Sequence, residues 1–299
     1  MKHVLVTGGR GFIGRYVGEN LERRGYVVTA FDRSIETYAP RRVVFGDIKD
    51  PTLVDDAVAH SDGVIHLAGI LGTQETIEDP IPAAQTNILG GLNVLEACAK
   101  YDVPFVNIAV GNYWMNNTYS ITKNAIERFV DMYVRFRGAR MSVVRALNAY
   151  GPRQVPAAPY GPSRVRKIMP SFICRALSGQ TIQIYGDGAQ IMDMIYVEDV
   201  ATILVRALEE TDKGRNGVYE AGTGRKTSVN DIANLVAAAI GQIAPMPIIE
   251  RLPMRPGEDE RSIVLGDPKT LESLDIGPLM RIEEGVTRTL AYFREYLKG

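Results

Sequence analysis

The chain has 299 residues, enough for one large α/β domain or for a core domain that carries a smaller one. Lys and Arg total 34 against 35 Asp and Glu, and this balance argues against a nucleic-acid binder, which needs a basic excess. No apolar run approaches the roughly 18 residues that span a bilayer, and the N-terminus shows no signal-peptide pattern. We therefore expect a cytoplasmic protein with no nucleic-acid and no membrane partner.

Short, nearly continuous apolar runs in the first half predict the strands of a parallel sheet that is buried on both faces. The predicted strands are His3–Thr7, Val27–Asp32, Val43–Asp47, Val64–Leu67, Phe105–Ala109 and Ser142–Arg145. The predicted helices between them are Phe12–Arg24, Leu53–Ala59, Thr86–Lys100 and Ser120–Arg137. This alternation is typical of an α/β fold with a doubly wound parallel sheet, the Rossmann arrangement.

The composition changes after Tyr150. Residues 151–170 hold five of the 16 prolines, which indicates a loop. Beyond it, further strands are predicted at Thr181–Tyr185, Met194–Val197 and Val218–Ala221, and a helix at Ser228–Ile240, with Ser228 as its N-cap. We expect residues 1–150 to form a dinucleotide-binding domain and residues 151–299 a smaller substrate-binding lobe, with segments near 191–212 returning to the first domain.

Cysteine and histidine are scarce. Cys98 and Cys174 lie far apart and outside any metal-ligand spacing, and the chain has only three histidines. We therefore predict neither a disulfide framework nor a metal site.

The strongest local pattern is TGGRGFIG at residues 7–14, between the first predicted strand and helix. Gly8 or Gly9 permits a tight turn, Gly11 allows close approach of a pyrophosphate, and Gly14 lets the helix pack near the strand. The N-terminus of the helix, at Gly11, Phe12 and Ile13, then offers N–H groups to phosphates. These residues predict a dinucleotide site.

Asp32 ends the second predicted strand, where a carboxylate can accept hydrogen bonds from the adenosine ribose. It would repel the 2′-phosphate of NADP, so NAD is the predicted cofactor, although the neighbouring Arg33 could accommodate that phosphate.

A second pattern is Tyr119 with Lys123, which share one face of a helix at i and i+4. A nearby ammonium is expected to lower the tyrosine pKa toward neutrality. Tyr119 could then exchange a proton with a substrate hydroxyl while hydride leaves or reaches the same carbon.

The same residues, with further motifs along nearly the whole chain, resemble the extended short-chain dehydrogenases/reductases of the NAD-dependent sugar-nucleotide epimerase/dehydratase family. The matching segments are TGGRGFIG at 7–14, Asp32, GDI at 46–48, HLAG at 66–69, NILGGLNVLEA at 87–97, Tyr119 with Lys123, VVRALNAYGPRQ at 143–154, IYGDG at 184–188, IYVEDV at 195–200 and RPGE at 255–258.

The resemblance implies roles at these positions. Asp47 and Ile48 would hold the adenine. The cofactor phosphates and ribose would be lined by Leu67, Ala68 and Gly69. Asn87 would lie in the helix behind the cofactor, Ile108 and Ala109 near the nicotinamide, and Lys123 would also bond the nicotinamide ribose. The residues implied to face the nucleotide diphosphate of a sugar substrate are Asn148, Tyr185, Arg255 and Glu258.

Two departures from the family pattern concern the substrate. The Ser or Thr that the family places after the fifth strand is matched by Val110, and no carboxylate stands at Gly111–Asn112, where the dehydratases have an Asp–Glu pair. Asn112 is the first candidate for a polar contact with substrate, and the alternatives are Thr118 and Ser120, which flank Tyr119; Thr118 could instead cap the helix. Met192 occupies the position at which the family has an arginine that binds the nucleotide phosphates. The cations of residues 164–167 could compensate for the lost contact.

The pattern therefore favours a 4-epimerase of nucleotide-linked hexoses, of the UDP-glucose/galactose type, that acts through a transient 4-keto sugar. The alternatives are an NAD(P)H-dependent 4-keto sugar-nucleotide reductase, a 4,6-dehydratase or decarboxylase, and a non-catalytic dinucleotide-binding protein. The family also implies a homodimer through the helices at 87–100 and 120–137. Its candidate contacts are Ile88, Leu92, Leu95, Ala125, Phe129, Met132 and Tyr133.

Overall fold

A computed structural model describes residues 1–34 and 42–298. The strands are β1 His3–Thr7, β2 Val27–Asp32, β3 Arg42–Phe45, β4 Gly63–His66, β5 Phe105–Val110, β6 Met141–Ala146, β7 Asn148–Tyr150, β8 Ile182–Tyr185, β9 Ile191–Met192, β10 Met194–Tyr196, β11 Val218–Ala221, β12 Thr227–Ser228, β13 Ile249–Leu252 and β14 Ile263–Val264. The α-helices are α1 Phe12–Arg23, α2 Pro51–Ala59, α3 Pro80–Ala83, α4 Gly91–Lys100, α5 Thr118–Arg137, α6 Ile168–Leu177, α7 Val197–Asp212, α8 Val229–Gly241 and α9 Ile282–Tyr296.

The main sheet has seven parallel strands in the order β11-β6-β5-β4-β1-β2-β3. Strand order reverses beside β1, where Thr7 lies opposite Phe31 on one side and His66 on the other. The predicted Rossmann-like fold is confirmed. Because ligands bind at such a switch point outside the carboxyl ends of the strands, this edge positions the site.

Both faces of the sheet are buried, which explains the continuous apolar runs. In β5 every residue is buried: Phe105 and Ala109 join the core beneath α4 and α5, while Val106 and Ile108 join the core beneath α1 and α7. Side chains alternate between the two faces of a strand, so two apolar layers favour apolar residues at nearly every position; fully buried Asn107 is the polar exception in β5.

The second half builds a third core from α6, α8 and α9. The capping box of α8, with Ser228 and Asp231 bonding reciprocally, confirms the predicted helix start. Besides the segment near 191–212, other parts of this half also pack on the main sheet. Strand β11 forms the sheet edge beside β6, and Leu271 and Leu274 join the core beneath α1 and α7.

The helix predicted at Thr86–Lys100 differs from the observed one. The chain forms the short helix α3, then a π-helical segment at Ala84–Gly90, and only then α4. Single π-turns of this kind occur mostly at functional sites. Within the described residues, no helix is long and apolar enough to cross a membrane.

Candidate active site

A cleft of about 590 Å³ runs along the carboxyl edge of the main sheet and beneath the second half of the chain. Nearly all the residues predicted for the site line this one cleft; Asn87 does not. Those that line it are Gly8, Gly11, Phe12, Ile13, Gly14, Asp32, Arg33, Asp47, Ile48, Leu67, Ala68, Gly69, Ile108, Asn112, Tyr119, Lys123, Asn148, Tyr185, Arg255 and Glu258.

The glycines of the first turn are dictated by close backbone contacts. Gly8 has a φ of +68°, and a Cβ there would lie 2.7 Å from the Ala68 nitrogen. A Cβ on Gly14 would lie 2.3 Å from the Gly8 carbonyl oxygen, so α1 can approach the turn only with glycine at this position. Gly11 precedes α1 without a side-chain cap, and the first N–H groups of α1 therefore face the cleft. This cradle fits the pyrophosphate of a dinucleotide.

Asp32 is held in place by its own loop. One of its carboxylate oxygens accepts the Arg10 N–H at 3.0 Å and the other accepts the Ser34 N–H at 2.9 Å. Each oxygen keeps a further lone pair for a ribose hydroxyl. The carboxylate is thus fixed before a cofactor arrives, and its charge opposes a 2′-phosphate.

Replacing Asp32 by alanine is expected to weaken the binding of NAD and to reduce the preference for NAD over NADP. Loss of a charge-assisted hydrogen bond costs about 1.5–3 kcal/mol, so NAD affinity should fall on the order of 10- to 100-fold. Fluorescence titration with NAD and with NADP measures the ratio of the two dissociation constants. Asp56→Ala, on the exposed side of α2, is the matched control. Equal affinities for NAD and NADP in the unaltered protein would contradict the assignment.

The two residues implied to hold the adenine, Asp47 and Ile48, lie in different environments. The Asp47 carboxylate accepts the Lys49 N–H at 3.0 Å and pairs with the Lys49 ammonium at 3.5 Å, so it also closes the turn after β3. Ile48 is 3% exposed and packs against Gly90 of the π-helical segment.

Asn87 is buried outside the cleft and holds one of its walls. Its amide accepts the Ile70 N–H at 2.7 Å and donates to the Ile70 carbonyl at 3.0 Å and to the Thr122 hydroxyl at 2.9 Å. The π-helical segment thereby fastens the loop after β4 to the helix that carries Tyr119 and Lys123.

Tyr119 and Lys123 lie on the first two turns of α5. The helix begins at Thr118, two residues before the predicted start, because the Asn117 side chain caps it by accepting the Ser120 N–H at 3.0 Å. Both functional side chains face the cleft one turn apart.

The expected lowering of the tyrosine pKa is wrong for the protein without ligand. Burial raises the pKa of Tyr119 to about 12 and lowers the pKa of Lys123 to about 8. Desolvation, which disfavours the charged form of each group, causes both shifts. Lys123 faces His66, whose pKa is lowered to about 3 by burial and by the Lys123 charge, so the neighbouring imidazole is neutral.

The loop after β5 presents little polar surface to the cleft. Val110 is 5% exposed, and Gly111 has no side chain to offer. The Asn112 amide lies 3.3 Å from the Met115 sulfur. Asn112 is therefore the polar side chain of this loop that lies nearest β5.

Arg145 ties this loop to α5. Its guanidinium donates to Glu127, one turn beyond Lys123, at 3.0 Å and to Glu220 of β11 at 2.9 Å. The same group lies 4.1 Å from the centre of the Tyr113 ring, a cation–π contact. One half-buried cation thus links α5, the sheet edge and the loop that carries Asn112.

The opposite wall of the cleft holds the predicted diphosphate residues. Arg255 pairs with Glu258 and lies 4.8 Å from the centre of the Tyr185 ring, while the Tyr185 hydroxyl accepts a 2.6 Å bond from Arg166. Asn148 also lines the cleft, where its amide donates to the Asp193 carbonyl at 3.3 Å.

Several cleft residues were missed by the sequence reasoning. The segment after β4 contributes Thr73, Gln74 and Glu75, and the second half contributes Gln190. Loops at the carboxyl ends of parallel strands face the ligand, so the position of residues 70–75 directly after β4 was the available signal. Lys167 also lines the cleft, near Glu75 and Arg255, and its pKa is lowered by burial.

The sequence model of the NAD-dependent epimerase/dehydratase family matches residues 4–222. The chain belongs to this family. Its extended short-chain dehydrogenase/reductase character, predicted from the motifs, is confirmed, and the family identifies NAD as the cofactor.

Similar members of the family catalyse different reactions. A putative UDP-glucose 4-epimerase of Methanocaldococcus jannaschii is 30% identical, over 97% of this chain and 98% of that protein. A dTDP-glucose 4,6-dehydratase of Streptomyces antibioticus is 31% identical, over 98% of this chain and 92% of that protein. The solved UDP-glucose 4-epimerase of Thermotoga maritima, with UDP-glucose, has a TM-score of 0.87 and 31% identity over 99% of both chains. Family membership establishes an enzyme of the epimerase/dehydratase kind.

Proposed function

We propose that the protein is an NAD-dependent 4-epimerase of nucleotide-linked hexoses. The observation that carries the proposal is the placement of Tyr119 and Lys123 in a cleft whose neighbouring loop, Gly111–Asn112, has no carboxylate. A tyrosine and a lysine suffice to move the proton of a hydroxyl, whereas elimination of water needs a further acid–base group beside the sugar. The similar 4-epimerases support the same choice.

Tyr119 would accept the proton of the sugar 4-hydroxyl. Bound NAD, held by the glycine turn and Asp32, would supply the hydride acceptor for the same carbon. Lys123 would stabilise the phenolate by its charge and bind the nicotinamide ribose. Arg255 and Lys167 would hold the diphosphate while the sugar turns, so the second face of the 4-keto carbon could receive the hydride. Tyr119 would then return its proton to the new hydroxyl.

The decisive experiment offers UDP-, dTDP-, GDP- and CDP-hexoses to the NAD-loaded protein. We expect one sugar to convert to its 4-epimer by NMR with no steady rise in absorbance at 340 nm, because the hydride returns to the substrate. A steady rise would indicate a dehydrogenase, and a 4-keto-6-deoxy product a dehydratase. A 4-keto substrate reduced with stoichiometric NAD(P)H consumption would indicate the reductase.

We also propose that two copies associate through α4 and α5. Ile121, Ala125, Phe129, Met132 and Phe136 recur at three- and four-residue spacing and form one stripe along α5; Ile121 is 50% and Phe136 81% exposed. Two of the sequence-predicted contacts belong to the core instead, since Leu95 and Tyr133 are fully buried within one chain.

Sedimentation should give a dimer for the unaltered chain and a monomer for Phe136→Glu, because a charge in an apolar interface is costly. Ile248→Glu, at a side chain 73% exposed elsewhere on the surface, is the matched control and should stay dimeric. A monomeric unaltered chain at micromolar concentration would overturn the proposal.

A further inference from the structure

An apolar cluster lies beside the reacting groups, and the proposed reaction does not use it. Five apolar residues line the cleft on the elements that meet here: Val110 at the end of β5, Met115 in the following loop, Leu147 after β6, Met192 of β9 and Val264 of β14. We call them the Leu147 cluster. The carboxyl ends of β5 and β6 and the start of α5 meet here, so the cluster shares the end of the cleft that holds Tyr119.

The position of Leu147 is set by three glycines. A Cβ on Gly111 would lie 2.1 Å from Leu147 Cδ1 and 3.3 Å from Val264 Cγ1. Cβ atoms on Gly222 and Gly266 would lie 3.0 and 3.2 Å from Leu147 Cδ2. The Leu147 side chain therefore fills the space that side chains at these positions would take, and its remaining surface faces the cleft.

The rest of the cluster extends this apolar surface. Met192 lies opposite Val264 in the pairing of β9 with β14. The Asn112 amide, the neighbouring polar group, is directed at the Met115 sulfur at 3.3 Å. A sugar hydroxyl placed against the cluster would lose its hydrogen bonds to water without replacement. A methyl group there would lose nothing and would bury apolar surface.

We propose that the Leu147 cluster receives a methyl group of the sugar, so that the substrate is a nucleotide-linked hexose bearing either a 6-deoxy methyl or an acetamido methyl. This inference rests on the proposed 4-epimerase function and narrows its substrate class. The two sources present the same chemistry to the cluster and differ in the ring carbon that carries the methyl group.

The test compares UDP-glucose, UDP-6-deoxyglucose and UDP-N-acetylglucosamine with the NAD-loaded protein. We expect kcat/KM for one methyl-bearing sugar to exceed that for UDP-glucose by on the order of 10- to 100-fold, the range over which apolar pockets discriminate against a hydroxyl. The methyl-bearing sugar with the higher kcat/KM identifies the source of the methyl group. Equal kcat/KM values for the three sugars would overturn the inference and leave the epimerase function intact.

Val110→Thr adds a hydroxyl to the cluster at almost unchanged volume. We expect it to reduce the preference for the methyl-bearing sugar about tenfold, since the methyl group would then face a buried hydroxyl. Val218→Thr makes the same change at a side chain 48% exposed on the sheet edge and should leave the preference unchanged. A preference untouched by Val110→Thr would contradict the inference.

Calorimetric binding of the three sugars to the NAD-loaded protein separates this inference from the proposed reaction. If none of these three sugars is epimerised, the ratio of their dissociation constants still decides the inference, and the panel of other nucleotide-linked hexoses decides the proposed function. Tighter binding of a methyl-bearing sugar by about tenfold or more supports it, and equal dissociation constants overturn it.

Discussion

Tyr119→Phe should reduce the turnover number on the order of 10²- to 10⁴-fold, the contribution typical of a positioned proton-transfer group. The substitution removes one oxygen from a side chain that lines the cleft on the second residue of α5. NAD affinity should change little, because the glycine turn and Asp32 lie at the other end of the cofactor. Steady-state kinetics with the epimerised sugar, together with NAD titration, measure both quantities.

Tyr133→Phe is the matched control on the same helix. Tyr133 is buried in the core, and its hydroxyl donates to Glu96 nearly four turns along α5 from Tyr119. Its loss should lower the free energy of unfolding by about 1 kcal/mol and leave turnover unchanged. If Tyr119→Phe kept full turnover while Tyr133→Phe lowered it, Tyr119 would not be the proton-transfer residue.

Turnover should rise with pH and level off above about pH 8. With Lys123 near pKa 8 and Tyr119 near 12, the pair loses its first proton near pH 8, and the singly protonated pair contains the phenolate–ammonium form that can accept a proton. Below this pH both groups are protonated, so kcat should fall about tenfold for each pH unit. Initial rates between pH 6 and pH 9 give the apparent pKa.

Lys123→Met removes the group that loses the first proton. The pKa of Tyr119 stays raised by burial to about 12 and no second group releases a proton near pH 8, so turnover should keep rising with pH and show no plateau below pH 9. Lys213→Met, at an exposed lysine beyond α7, should keep the profile of the unaltered protein. An unchanged plateau in Lys123→Met would show that another group sets the pH dependence.

The parts of the site that the sequence predicted are those with a local chemical signature. The glycine turn follows from contacts within a few residues, such as Gly14 against the Gly8 carbonyl, and Asp32 ends a strand whose apolar pattern is clear. The prediction that Tyr119 and Lys123 share one face required only the period of a helix. These features depend on neighbours in the chain, so they are visible without the fold.

Features that depend on distant neighbours were missed or misjudged. The π-helical segment forms where Asn87 bonds Ile70 and Thr122, partners up to 35 residues away. The tyrosine pKa was given the wrong direction because spacing shows a nearby cation and does not show how deeply both groups are buried. The packing of Leu147 against Gly111 likewise required the arrangement of β6 beside the loop after β5.

The contact between Gly111 and Leu147 makes these two positions mutationally interdependent. A serine at 111 would collide with Leu147, and an alanine at 147 alone would leave a cavity between three glycines. We therefore expect each single change to lower the free energy of unfolding and the two together to lower it less than the sum, with a coupling free energy of about 0.5–3 kcal/mol. A side chain introduced at position 111 therefore requires a compensating change at position 147.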